Sequence, residues 1–254
     1  MSVERPQRRA RRQALKELEA SIEALKVHDL SIPQLEQLDI WVQEMALNAS
    51  SRDKPYFFLP RSNFSLPPVE CVQNLTECLG DEDTSLKRPV DRAYQVQANW
   101  SSYCRSYISR LEGWPWWSGD PADHRTYKHV YQYDQPEFGA FNLMDIRGSS
   151  FPHSKAAIYN NMEGVHHKLL RGELLILLRM MLGRLKKRPL LEHMIAPVFM
   201  VSFMGKRARA IEAYYDGQHL ILRRTAFYNF PEQTSPAFKE LGEWYCGNPT
   251  GNTH

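Results

Sequence analysis

At 254 residues, 43% of them hydrophobic, the chain suits one domain with an appendage or two small domains, with enough apolar material for a sizeable core. Its net charge of +3 is close to neutral for that length, so any basic character that matters is local. Four irregularly spaced cysteines with no Cys-x-x-Cys pair argue against a structural zinc site and make reduced thiols in the cytosol or nucleus the expectation.

The local charge is at the N-terminus, where Arg5, Arg8, Arg9, Arg11 and Arg12 open a helical pattern. No apolar run follows them, so a secretory signal is not expected. Glu4, Glu17, Glu19 and Glu23 weaken a mitochondrial presequence. Five guanidinium groups at this spacing suit contact with phosphates or with an acidic partner, a nuclear import signal, or a solvated end. Leu15, Leu18, Ile22 and Leu25 then recur at heptad spacing, which raises a homodimer through this helix. His28 to Ser31 breaks the pattern. Ser31 and Pro33 start a second helix carrying Leu35, Leu38, Val42 and Met45, and residues 1–50 read as a basic helical hairpin.

Residues 51–90 hold five prolines and the acidic run Asp81 to Asp83, and read as an irregular linker. The sequons at Asn48, Asn63, Asn74 and Asn99 read as chance without an entry signal. Residues 91–246 read as an α+β domain. Within it, Pro89 to Leu111 is weakly helical, and Gly113 to Gly119 is a tight loop holding Trp114, Trp116 and Trp117. Tyr127 to Tyr133 and Phe138 to Ile146 are candidate strands. Three tryptophans around one proline suit either stacking on a base, a sugar or a proline-rich peptide, or a packed plug. Asp120, Asp123, His124 and His129 offer carboxylate and imidazole ligands, in a spacing that matches no established metal motif.

From Ser154, a candidate N-cap, to Lys187 there is no proline. Leu169 to Leu185 is rich in Leu and Met, which predicts a long core helix too short in apolar length to span a membrane. Pro197 to Met204 is apolar on both faces apart from Ser202, as an interior strand is. Asp216-Gly217 between β-rich runs predicts a two-residue type I′ turn. Pairing outward from it puts Ile211, Ala213, Leu220 and Leu222 on one face. Glu212, Tyr214, His219, Ile221 and Arg223 fall on the other, with Glu212 diagonal to Arg223 as an ion pair. Ala237 to Tyr245 is a short amphipathic piece, and residues 247–254 read as a frayed tail.

Acids on a helix beside acids on a sheet can hold Mg²⁺ against a phosphate, so Glu173, Glu212 and Asp216 are the candidate catalytic set of a divergent metal-dependent nuclease-type hydrolase. The usual Glu-x-Lys pattern is missing, because Ala213 and Tyr214 follow Glu212. No nucleophile elbow, P-loop or dinucleotide fingerprint occurs.

Two resemblances add to these readings. Residues 5–25 superficially resemble basic-leucine-zipper transcription factors, but Pro6 interrupts the basic segment and no Asn stands where that family reads bases. Arg171-Gly-Glu-Leu174, Pro197-Val198, Ser202 to Gly205, Ala213 to Gly217 and Tyr228-Asn-Phe230 are the core of a likeness of about 60 residues. In them the C-terminal region resembles a group of filamentous-fungal proteins, mostly uncharacterised. That resemblance implies a fungal source and a dispensable or metabolite-cluster gene, and carries over no catalytic residue.

The expectation is an α+β protein, an N-terminal helical hairpin preceding a long core helix packed on an antiparallel or mixed sheet. It is expected to be nuclear or cytoplasmic, without cofactor or membrane contact. Its expected function is non-enzymatic binding or regulation, the Arg-rich helix meeting nucleic acid or an acidic partner. The alternatives are the hydrolase, and an accessory protein of a fungal biosynthetic pathway that binds a small hydrophobic ligand.

Overall fold

The computed structural model describes residues 4–62, 64–79, 86–108, 117–120, 127–146, 151–230 and 232–254. In chain order its elements are α1 (Pro6–Glu23), β1 (Asp29–Ser31), α2 (Ile32–Glu36), β2 (Ile40–Glu44), β3 (Phe58–Leu59), α3 (Val69–Cys78), α4 (Pro89–Ile108), β4 (Trp117–Asp120), β5 (Tyr131–Gln132), β6 (Phe138–Ile146), β7 (Ser154–Asn160), β8 (Lys168–Leu170), α5 (Arg171–Leu185), β9 (Val198–Met204), β10 (Arg207–Tyr215), β11 (Leu220–Arg224), β12 (Tyr228–Asn229), α6 (Thr234–Tyr245) and β13 (Asn248–Pro249).

Among these residues the main sheet runs β2-β11-β10-β9-β7-β6-β4, with β5 beside β6 and β12 beside β10. It is mixed: β7–β9 and β11–β2 are parallel, and the other pairs are antiparallel. Parallel β7 and β9 need a crossover, and α5 supplies it. The α+β class and the core helix on a mixed sheet stand as expected.

Each sheet face carries its own core. On one, α5 lies against Ile158, Val198, Met200, Ile211 and Leu222, and α1 lies over α5 through Leu15 and Ile22. On the other, α4 and α6 cover Phe199, Val201, Phe203 and Ala210 with Trp100, Phe238 and Trp244. Fourteen α5 residues are buried, because sheet and α1 cover it from two sides. Arg179 reaches out of this helix to Glu19 (2.8 Å) and Glu23 (2.6 Å) of α1. The heptad stripe is thus consumed within the chain by α5 and is not free as a dimer seam.

Several expected elements differ. The second helix of the N-terminal hairpin is only α2, which does start at Ser31, whose N–H donates to Gln34 Oε1 at 2.9 Å. Residues 40–44 form β2 instead, because Ile40 and Val42 gain a sheet position beside β11. Ser154 caps no helix: residues 154–160 form β7, wholly buried between β6 and β9. The core helix begins at Arg171, where Glu173 accepts the Leu170 N–H at 2.8 Å. Part of the proline-rich stretch is built into the second core through Phe57, Phe58 and Phe64. The last residues do not fray either. β13 pairs with β3, and the Thr253 carbonyl accepts the N–H groups of Met194 (2.7 Å) and Ile195 (3.1 Å).

The hairpin faces fall as expected, but the loop is four residues long. Tyr215 pairs with Leu220, and Glu212 pairs directly with Arg223. A two-residue shift preserves every face. The tight turn fails because Asp216 uses its carboxylate to accept the N–H groups of Gln218 (2.7 Å) and His219 (2.8 Å), leaving Gly217 alone at positive φ in the loop.

Candidate functional site

Arg11 of α1 and the hairpin loop face each other across a cleft of about 730 Å³. Gln7, Ala10, Arg11 and Ala14 line it from the helix, Met194 from below, and Tyr215 to Gln218 from the loop. Arg11 lies over Gly217, where a Cβ would come within 2.7 Å of its Nη2, and donates to the Tyr215 carbonyl at 3.2 Å. Gly217 is therefore needed both for its φ of 117° and for this approach. No ion pair to Arg11 occurs among the described residues.

The other four arginines differ in fate. Arg5 pairs with Glu192 at 2.7 Å. Arg8 is buried, donates to the His193 carbonyl (2.9 Å) and pairs with Glu4 (2.7 Å). Desolvation lowers its pKa, and Glu4 opposes that. Arg12 also pairs with Glu4, at 2.9 Å. The Arg9 side chain, 72% exposed and 3.9 Å from Glu4, points mainly to water, and the Arg5 side chain is also more than half exposed. One glutamate thus lies within 4 Å of three arginines, with Arg8 and Arg12 held closest.

The acids proposed for catalysis are kept apart. Glu173 is fully buried and makes a two-pronged ion pair with Arg209 on the α5 side of the sheet. Glu212 is fully buried on the opposite side, 3.1 Å from Arg223, and accepts the N–H groups of Tyr56 (2.9 Å) and Phe57 (2.7 Å). Asp216 stands on the loop. Side chains alternate across a strand, so a sheet separates Glu173 from Glu212 and they cannot share a cation. Burial raises the Glu212 pKa, and the two N–H groups and Arg223 pull it back. Both glutamates are clasps: one fixes α5 to β10, the other docks residues 54–58 on the sheet, with the Lys54 carbonyl held by Arg223 at 2.6 Å.

Trp117 plugs the second core. Its indole N–H donates to the Gly247 carbonyl (3.0 Å), and Lys155 lies over its ring at 4.0 Å, so it offers no face to a ligand. Trp114, Trp116, Asp123 and His124 lie outside the described residues, as does the Asp120 side chain. His129 takes positive φ, and its carbonyl accepts from Arg179. No group of three metal-ligating side chains is present among the described residues.

Sequence reading missed two buried groups. Lys155 is fully buried without a carboxylate and donates to the carbonyls of Tyr245 (2.8 Å) and Gly247 (2.7 Å), satisfying the C-terminal end of α6. Burial lowers its pKa well below the usual lysine range. His153 is also fully buried, bonded to the Thr250 carbonyl at 2.8 Å, and burial pushes its pKa down to about 3. Comparison with family models, curated proteins and solved structures finds no match. No helix among the described residues is long and apolar enough to cross a membrane.

Proposed function

We propose that the chain is a binding protein whose helix α1 receives an acidic partner at the cleft between Arg11 and the hairpin loop. The observation that carries this is Arg11 itself: a guanidinium on the wall of a cleft of about 730 Å³, held by one backbone carbonyl and without an ion pair among the described residues. A carboxylate docked there gains a charge-assisted, two-pronged hydrogen bond. Arg9 adds long-range attraction. An acidic peptide fits better than nucleic acid, because Glu4 and Glu192 hold Arg5, Arg8 and Arg12.

The test is titration of the full chain with a fluorescent glutamate-rich peptide and with a DNA duplex, over a salt series. The peptide is expected to bind, more weakly as salt rises, and Arg11→Gln to weaken it about tenfold or more. Tight duplex binding with a steep salt slope, unchanged in Arg11→Gln, would replace this reading with phosphate contact.

A further inference from the structure

A second surface stands on different elements. Tyr94 of α4, Phe141 of β6 and Tyr159 of β7 form a triangle of rings with centroids 4.6, 4.9 and 5.0 Å apart. Phe141 is there because of a bulge: the β6–β7 register jumps between Ala140 and Asn142, leaving Phe141 without a partner and turning it onto the two tyrosines. Gly139 continues the patch. A Cβ on it would run into the Tyr131 ring and the Tyr159 hydroxyl, so only glycine lets these side chains close over the strand. Tyr133 then lies parallel to Tyr131. Tyr159 is the buried floor of the patch, 2% exposed, and the rings over it are open: Tyr94 is 47% and Tyr133 78% exposed, and Phe141 and Tyr131 are half-buried.

The shape and charge of this strip select its ligand. Tyr94 meets Phe141 at 83°, and Tyr159 is tilted by about 50° to both, at 48° and 49°. Tilted rings make ridges and grooves, where a sugar or base needs a flat platform. Grooves between aromatic edges receive the rings of an extended proline-rich chain, which is preorganised. The rim is acidic. Glu137 accepts from Tyr159 at 3.3 Å and makes no ion pair among the described residues, and Asp134 is exposed on the preceding turn. Nearby cations are already engaged: Arg88 by Asp91 (2.7 Å), Arg92 by Glu163 (3.5 Å), and Arg171 by the carbonyls of Glu23 and Leu25 (2.9 and 3.2 Å). We infer that the Tyr94–Phe141–Tyr159–Tyr131 strip is a docking groove for a proline-rich segment in the polyproline II conformation that carries a basic residue for Glu137.

The experiment is fluorescence anisotropy of the full chain with a ten-residue labelled peptide, rich in Pro with two arginines at one end. A control peptide has Gly in place of each Pro. Saturable binding of the Pro peptide alone is expected, weakened about tenfold or more by Tyr94→Ala, a surface change that leaves the fold intact by circular dichroism. Glu137→Gln is expected to weaken the Arg-bearing peptide but not one with Gln in place of Arg. Equal binding of Pro and Gly peptides, no saturation, or insensitivity to Tyr94→Ala would overturn the assignment. So would capture of an oligosaccharide in place of the peptide.

Discussion

His153 and Lys155 are two positions apart on one strand end, both fully buried and neither matched by a carboxylate. A histidine held near pKa 3 in the folded chain titrates near 6.5 once unfolded. Between those values the unfolded chain binds the extra proton, so this residue's stabilisation is complete above about pH 6.5 and is lost as pH falls toward 3. The steepest loss is about 1.4 kcal/mol per pH unit. Urea midpoints from pH 7 to 4 should fall more steeply for the native chain than for His153→Gln; parallel curves would assign acid sensitivity elsewhere. Glu212 has the opposite sign. Its raised pKa means that protonation in mild acid favours the folded state, while removing it leaves Arg223 buried without a counter-charge. Glu212→Ala, which takes the acceptor from the Tyr56 and Phe57 N–H groups as well, should therefore destabilise the chain at pH 7 by about 3 kcal/mol, measured by chemical unfolding. Neither buried side chain was legible beforehand, because nothing in the identity of a lysine or histidine announces its depth.

Where periodicity was long and its partner local, the elements could be read. Leu169 to Leu185 announced α5, Phe138 to Ile146 matched β6, and the hairpin faces survived a register change of two. Failures came where a distant neighbour decided. Ser154 to Asn160 carries helix-favouring Lys and Ala, yet β6 and β9 on either side make it a strand. Ile40 to Glu44 keeps a helical spacing and follows a capped turn, but β11 claims it. The α1 stripe was visible; whether it met another chain or its own was not. Leu15→Ala should cost about 2–5 kcal/mol, and the half-buried Leu18→Ala distinctly less. Both losses should be independent of protein concentration; a concentration-dependent midpoint would return the stripe to an intermolecular role.

At the scale of the molecule, the final residues act as a strap. The Gly247 carbonyl serves Lys155 and Trp117, β13 pairs with β3, and Thr253 holds the backbone of Met194 and the His193 ring. Deleting residues 247–254 should lower stability by several kcal/mol, since two buried donors lose an acceptor; a frayed end would be removed without effect on the urea midpoint. The parallel pairing of β2 with β11 has a consequence for biogenesis. During synthesis, β2 and the apolar stripe of α1 are made well before α5 and β11, the helix and strand that cover them. Such non-local closure slows folding and leaves greasy, unpaired backbone waiting in the nascent protein. A segment left uncovered in this way is the one most exposed to aggregation during synthesis, and the Arg and Glu residues interleaved with the leucines of α1 oppose that tendency.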